Sequence, residues 1–221
     1  MEVVIDRKFR GPRGSANGGY TCGVLATFIQ GPAEVTLRLP PPLERPLEVV
    51  TDGRLELRDG EAVVAEAALS ELELDLPDPI SFDDAAAAAL PEGDRESVFP
   101  ECFVCGWARK DGLRIYAGPV ADTELVAATW VPAADLVSPE FVWSALDCPG
   151  AYAVQHGWRG TPVLGRLSAR VEHLPDPGER CVVMGWPLGE DGRKLYAGTA
   201  VFGEDGRTLG CARATWIIPR S

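Results

Sequence analysis

The stretch that decides the fold lies in the second half of the chain, at residues 138–150, and reads SPEFVWSALDCPG. Ser138 followed by Pro139 is a strong helix start, because serine caps a helix and proline is tolerated in its first turn. The apolar run that follows predicts a helix over residues 141–154, interrupted at Pro149 and Gly150. Asp147 lies within this apolar run, so we expect its carboxylate to be exposed, paired or functional.

The same organisation, a helix followed by an antiparallel meander of strands, occurs once more in the first half of the chain. Residues 16–30 predict a helix that opens at an Asn-Gly-Gly turn. Asp59-Gly60 and Asp205-Gly206 are hairpin signals at the same place in the two copies. Alternating or apolar runs predict strands at residues 2–9, 35–39, 47–50, 54–57, 62–69, 113–117, 124–130, 165–171, 180–188, 194–202 and 208–218.

This repeat divides the chain into a first copy at residues 1–74, a linker at 75–101 and a second copy at 102–221. The linker is rich in proline and acidic residues. Its alanine run at 85–89 predicts a short helix that Ser81 and Asp84 would cap.

Composition and charge exclude several classes of protein. The chain has 221 residues, is 46% hydrophobic and carries a net charge of −12. It contains no apolar run long enough to span a membrane and opens without the apolar core of a signal peptide, so we expect a cytoplasmic protein. The negative charge argues against nucleic-acid binding. Most of it lies within residues 44–101, so it does not argue against an anionic substrate.

Six cysteines and two histidines are present, and none of them forms a recognisable catalytic motif. Cys102 and Cys105 make a C-x-x-C pair, but no second ligand pair follows as a structural zinc site requires. We therefore predict no metal site and interpret the two thiols as packing a turn before a strand, with a redox pair as the alternative. His156 and His173 each stand alone.

Three segments carry a resemblance to a known family: Asn17-Gly18-Gly19-Tyr20, residues 102–106 (CFVCG) with Asp111-Gly112-Leu113, and residues 145–151 (ALDCPGA). Together they resemble the double-hotdog acyl-CoA thioesterases. The resemblance implies an α+β fold in which two antiparallel sheets each wrap a central helix and form a fused pseudo-dimer. It also implies hydrolysis of an acyl-CoA or acyl-carrier thioester, with no cofactor other than the coenzyme A of the substrate.

The candidate residues have chemistry that suits this reaction. Gly18 and Gly19 at a helix N-terminus present backbone N–H groups that can serve as an oxyanion hole. Asn17 can donate an amide hydrogen bond, cap the helix, or do both. Asp147 can act as a general base on water or attack the thioester directly, and a local capping role is its alternative.

Spacing predicts that the two copies share one site. The resemblance implies an acid nine residues after the first motif position, and nine helical residues rise about 13.5 Å, too far for one carbonyl. The acid must therefore come from the other copy. Nine residues after Asn17 stands Ala26, and nine before Asp147 stands Ser138. We expect Asn17, Gly18 and Gly19 to face Asp147, and Ser138 to face Ala26 in a degenerate second site.

The remaining expectations concern the substrate. Tyr20, Trp143 and Tyr152 are candidates to line the acyl pocket, and Ser144, Gln155 and Thr161 to assist Asp147. The basic segment at residues 7–13, with Arg10 and Arg13, is a candidate for the phosphates of coenzyme A. Neither histidine suits a dehydratase of this fold. The main alternative is a catalytically inert module that binds an acyl or polyketide ligand. Two such chains are also expected to be able to pair into a homodimer.

Overall fold

A computed structural model describes residues 1–91, 99–155 and 161–220, and within them the chain forms four α-helices. They are α1 (Gly18–Ala26), α2 (Phe82–Ala88), α3 (Pro139–Ala145) and α4 (Cys148–Ala153). None of these helices is long and apolar enough to cross a membrane.

The eleven strands found in the described residues form one antiparallel sheet in the order β1-β3-β4-β5-β2-β8-β11-β10-β9-β7-β6. The strands are β1 (Glu2–Val4), β2 (Ala33–Leu37), β3 (Pro46–Val50), β4 (Leu55–Asp59), β5 (Ala62–Leu69), β6 (Gly118–Pro119), β7 (Val126–Trp130), β8 (Val163–Val171), β9 (Cys181–Asp191), β10 (Lys194–Phe202) and β11 (Thr208–Ile217).

The sheet is continuous where two separate sheets were expected, because β2 of the first half pairs with β8 of the second half. Ala33 lies opposite Ala169 in this pairing. Arg166 donates from Nε to the hydroxyl of Thr36 at 2.9 Å and forms an ion pair with Glu34 at 3.1 Å. The pairing satisfies the backbone groups that two exposed strand edges would otherwise leave open.

Two glycines let α1 lie very close to α3 on one face of this sheet. A Cβ on Gly19 would lie 2.8 Å from the carbonyl oxygen of Trp143, and one on Gly23 would lie 2.7 Å from the Cα of Glu140. Larger residues at either position would therefore force the two helices apart. This contact brings the helix of the first half against the helix of the second.

The expected linker covers the other face of the second-half sheet. Successive residues of β9 point to opposite sides, so Val183 packs in the helix-side core while Val182 and Met184 pack in a second cluster. Ala85 of α2 is fully buried in that second cluster. Ser81 caps α2 by accepting from the amide of Asp84 at 3.0 Å, as the sequence predicted.

Three elements differ from their predictions. Residues 113–117 form no strand, because Arg114 has a positive φ of 59° and the segment pairs with no neighbouring strand of the described residues. Its backbone bonds instead to the preceding turn, with Leu113 N–H donating to the carbonyl of Phe103, and to Leu90, whose amide donates to the carbonyl of Tyr116. The strand expected over 2–9 ends at Val4. The second helix breaks before Asp147 and not at Pro149, because a proline ring cannot continue α3 but fits the first turn of a new helix.

Candidate functional site

Asn17 has two roles at the start of α1. It is the N-cap residue, and its Oδ1 accepts from the amide of Tyr20 at 2.8 Å. This leaves the side-chain amide group free to donate elsewhere, and Nδ2 donates to Asp147 Oδ2 at 2.8 Å. Asn17 is buried, so both hydrogen bonds are sheltered from water. Capping and donation are therefore made by the same side chain.

Asp147 lies in the short break between α3 and α4, and its side chain reaches across to α1. It occupies the N-cap position of α4 but makes no capping hydrogen bond, so the structure does not support the alternative in which Asp147 only caps its own helix. Its Oδ2 accepts from Asn17 Nδ2 and, at 3.0 Å, from the amide of Gly19. Its Oδ1 is buried without a hydrogen-bond partner among the described residues.

Burial dominates the electrostatics of this carboxyl group. The side chain is 3% exposed. The pKa of Asp147 is raised from 3.8 to about 7, chiefly by burial and in smaller part by the neighbouring Cys102, while the hydrogen bonds from Gly19 and Asn17 oppose the shift. The carboxyl group of Asp147 therefore titrates near neutral pH.

Asp147 can approach α1 this closely because Gly19 has no side chain. A Cβ at Gly19 would lie 2.5 Å from the Cβ of Asp147. Gly18 contacts other residues, and a Cβ there would lie 2.9 Å from Cδ2 of Leu164. The amide of Gly18 makes no hydrogen bond to the described residues, whereas that of Gly19 is engaged by Asp147. Of the two amides predicted to form an oxyanion hole, that of Gly18 therefore has no partner among the described residues, and that of Gly19 already donates to Asp147.

A cavity of about 370 Å³ opens beside Asn17, Gly18 and Asp147. Tyr152, Gln155 and Thr161, all considered from the sequence, line it. The apolar part of the wall comes from the ends of β2, β8 and β11, from α4 and from neighbouring loops. It consists of Pro12, Ala16, Leu37, Leu39, Pro40, Pro41, Phe99, Ala151, Pro162, Val163, Leu164, Trp216 and Ile217.

Tyr20 lies outside this cavity, contrary to prediction. Its ring stacks on Phe9 with centroids 3.9 Å apart and also contacts Phe103 and Phe141. Its position follows from the helix itself. Tyr20 is three residues beyond Asn17, and its amide is held by the cap, so its side chain points to the aromatic cluster and not to Asp147.

Trp143 and Ser144 are also misplaced by the sequence prediction. Trp143 is buried against α1 and lines a different pocket together with Ala26 and His173. Ser144 is buried, and its hydroxyl donates to the backbone carbonyl of Glu140 at 2.7 Å, one turn earlier in its own helix. The hydroxyl is therefore used within α3.

The two arginines proposed for phosphate binding do not line the cavity. Arg10 forms an ion pair with Glu101 at 2.8 Å, and Arg13 is exposed. Among the described residues that line the cavity, the one basic residue is Arg38, which follows β2 and pairs with Glu66 at 2.8 Å. Arg38 was missed because it is a single residue at a strand end, whereas the basic run at 7–13 is conspicuous in the sequence.

The expected degenerate site is only partly assembled. Ala26 and Pro139 line the same pocket as Trp143, so the two helix segments do face each other there. Ser138 does not line that pocket, and its hydroxyl is buried without a partner among the described residues. His156, which the sequence set aside, lies outside the described residues.

Three thiols of the described residues gather beside Asp147. Cys102, Cys105 and Cys148 are buried and all line the cavity, with their sulfur atoms within 4.8 Å of one another. Cys102 also lies 3.8 Å from Nδ2 of Asn17. The C-x-x-C motif was noted from the sequence, but nothing in its spacing indicated that Cys148 joins it.

Comparison of the sequence finds no matching protein-family model and no matching curated protein. Comparison of the structure does find similar proteins. A candidate thioesterase of Novosphingobium aromaticivorans is 12% identical and matches over 99% of this chain and 95% of its own, with a TM-score of 0.69. A protein of unknown function with hot dog fold from Alicyclobacillus acidocaldarius, also 12% identical, matches over 100% and 93% with a TM-score of 0.65.

A third similar structure is a candidate thioesterase II of Thermobifida fusca, which is 14% identical, covers 99% of this chain and 92% of its own, and has a TM-score of 0.63. All three likenesses extend over nearly the whole of both chains at low identity. The chain therefore has the hot dog fold, with a large antiparallel sheet and central helices.

Proposed function

We propose that the chain hydrolyses an acyl thioester, carried by coenzyme A or by an acyl-carrier protein, at one composite site. The observation that supports this most is the meeting of Asp147 with Asn17 and Gly19 beside an open cavity. In this proposal residues 1–74 and 102–221 are two hotdog copies fused into a pseudo-dimer, joined by residues 75–101. Each copy contributes half of the site.

Asp147 acts as the general base. Its Oδ2 is anchored by two donors, which leaves the unpartnered Oδ1 to accept a proton from water. A carboxylate whose pKa is raised to about 7 by burial is a stronger base than an exposed one and is still substantially ionised near neutral pH. The activated water attacks the thioester carbon, the carbon–sulfur bond then breaks, and the departing thiolate takes the proton from Asp147.

Gly18 supplies the stabilising donor for the carbonyl oxygen. Its amide makes no hydrogen bond to the part of the chain that the structure describes, and Gly18 lines the cavity from the first turn of α1, where the helix dipole adds partial positive charge. Negative charge develops on the carbonyl oxygen only as water attacks, so a preorganised donor at this point lowers the barrier. Gly19 has a different part in this proposal, because its amide orients the base.

The cavity would hold the acyl chain and the carrier group of the substrate. Its volume lies within the usual range for small-ligand sites, and its wall is mostly apolar, which suits an acyl chain. Arg38 lies in the same wall with half of its side chain exposed. A guanidinium in this position suits the phosphates of coenzyme A, which bind arginine through paired hydrogen bonds.

One observation favours a second candidate, a module that binds an acyl ligand without turning it over. Asn17 Nδ2 and the Gly19 amide, two donors beside the cavity, are already engaged by Asp147. Neither donor is then available to a ligand carbonyl. Such a protein would hold its ligand mainly through the apolar wall.

The deciding experiment compares the wild-type protein with Asp147→Asn on a panel of acyl-CoAs, with release of free thiol as the readout. Asp135→Asn is the matched control, because Asp135 is an exposed acid that pairs only loosely with Lys8 at 3.8 Å. Hydrolysis by the wild type and the control, with loss of at least about 100-fold in Asp147→Asn, is expected for a general base. Equal turnover by Asp147→Asn overturns the assignment. Ligand-dependent thermal shifts without any turnover favour the binding module.

A further inference from the structure

The three-thiol cluster of Cys102, Cys105 and Cys148 has no part in the hydrolysis proposed above. Cys102 and Cys105 lie on the turn that precedes residue 106, and Cys148 begins α4. The segments come together because the Phe103 amide donates to the carbonyl of Arg10 at 2.7 Å, which holds the turn beside the start of α1. All three thiols are buried.

The spacing of the sulfur atoms is that of ligands around one ion. Cys102 Sγ and Cys148 Sγ are 3.8 Å apart. In a tetrahedral zinc site with zinc–sulfur bonds of about 2.3 Å, neighbouring sulfurs are separated by about 3.8 Å. Disulfide-bonded sulfurs would instead lie about 2.05 Å apart. The third sulfur, of Cys105, lies within 4.8 Å of both.

The turn that carries two of the thiols is tightly closed. Gly106 closes the turn by donating its amide to the carbonyl of Cys102 at 2.8 Å. A Cβ at Gly106 would lie 2.6 Å from the amide nitrogen of Cys102, so no larger residue fits there.

We propose that Cys102, Cys105 and Cys148 bind one thiophilic divalent cation of the Zn²⁺ class. All three thiols line the cavity, so the fourth coordination position faces the space that water or a small ligand can enter. Three protein ligands with one open position distinguish this site from a closed four-cysteine structural site. The proposal does not depend on thioester hydrolysis, because it concerns only these thiols and the ion.

The test measures metal binding directly on the full chain, reduced and stripped with a chelator that is then removed. Titration with Zn²⁺ against a chromophoric competitor is expected to show one equivalent bound. Titration with Co²⁺ is expected to show the near-ultraviolet charge-transfer band of cobalt–thiolate bonds. Binding below one equivalent, or a cobalt complex without the thiolate band, overturns the proposal whether or not the protein hydrolyses thioesters.

Peptide mapping after thiol alkylation identifies the ligands in the wild-type protein, so the test does not depend on any variant folding. Zn²⁺ is expected to protect Cys102, Cys105 and Cys148 and to leave the reactivity of Cys181 and Cys211 unchanged. Protection of a different set of thiols contradicts the proposal.

Substitutions give the matched comparison. Cys148→Ser is expected to weaken Zn²⁺ binding more than about 100-fold, because each thiolate supplies a large share of the binding free energy. Cys211→Ser is the control, since Cys211 is also buried but lies in the second core cluster. Thermal unfolding of both variants checks that they are folded. Equal losses in the two folded variants would overturn the site.

Discussion

The side-chain amide of Asn17 donates to Asp147 Oδ2 at 2.8 Å across a separation of 130 residues in the sequence. This hydrogen bond joins the start of α1 to the break between α3 and α4. Both partners are buried, so leaving either one unpaired carries a desolvation cost. The same contact therefore contributes to stability and orients the carboxylate of the candidate site.

Substitution of Asn17 is expected to separate these two contributions. Asn17→Ala removes the helix cap and the donor, so it is expected to cost about 1–2 kcal/mol in the free energy of unfolding and most of the thioesterase activity. Asn17→Ser retains a capping side chain but not the amide donor. It is expected to recover the share of the stability that the cap supplies and none of the activity, as measured by urea unfolding and by thiol release. Full activity in Asn17→Ser would show that the donor is dispensable.

Gly19→Ala tests the close approach of the two helices. Helix propensity alone would make alanine more stable than glycine by about 1 kcal/mol within a helix. The added Cβ would instead meet the Cβ of Asp147 at 2.5 Å. We therefore expect Gly19→Ala to be destabilised by about 1–3 kcal/mol in urea unfolding, the usual range for overpacking. An increase in stability would mean that α1 and Asp147 have room between them.

The sequence predicted the local elements of the fold better than the placement of the candidate side chains. The hairpins at Gly60 and Gly206 were predicted correctly, because an Asp-Gly turn with positive φ is a local signal, and both glycines adopt it. Asn17 and Asp147 were paired in the prediction because the resemblance implies an acid nine residues after the first motif position, which the helix rise makes too distant within one copy. Tyr20 and Trp143 were misplaced, because an aromatic residue near a site in sequence can face either side of its helix.

The thiol cluster illustrates what sequence spacing cannot provide. Cys102 and Cys105 form a motif that is visible in the sequence, whereas Cys148 is separated from them by more than forty residues. Its approach depends on Pro149, which ends α3 early and turns the chain so that α4 begins at Cys148. The break itself was predicted, but three positions too late. The direction in which the Cys148 side chain points depends on packing and cannot be inferred from the sequence.

Arg38→Ala tests whether the cavity receives a nucleotide carrier. Arg38 is the basic residue of the described cavity wall, so its loss is expected to raise KM for an acyl-CoA about 10-fold with little change in kcat. The same acyl group on pantetheine, which lacks the nucleotide phosphates, is expected to show no such rise. Arg58→Ala is the control, because Arg58 pairs with Glu56 on the distant strand β4. An equal rise in KM for both substrates would contradict phosphate recognition.

The pH dependence of stability tests the burial of Asp147. Its pKa is raised from 3.8 to about 7 in the folded protein, so between these values the folded state binds more protons than the unfolded state. The free energy of unfolding must then fall as pH rises through this window, and the contribution is complete only below about pH 3.8. For a single group with these pKa values, the fall from pH 5.5 to pH 8 is about 2 kcal/mol.

Asp147→Asn isolates this contribution, because it keeps the shape of the side chain and removes the titration. Urea unfolding of both proteins at pH 5.5 and pH 8, with a chelator present to keep the thiols metal-free, gives four free energies. All other titrating groups cancel in the double difference, so the wild type is expected to lose about 2 kcal/mol more than the variant. Parallel pH profiles would mean that Asp147 keeps an ordinary pKa in the folded protein, contrary to a shift dominated by burial.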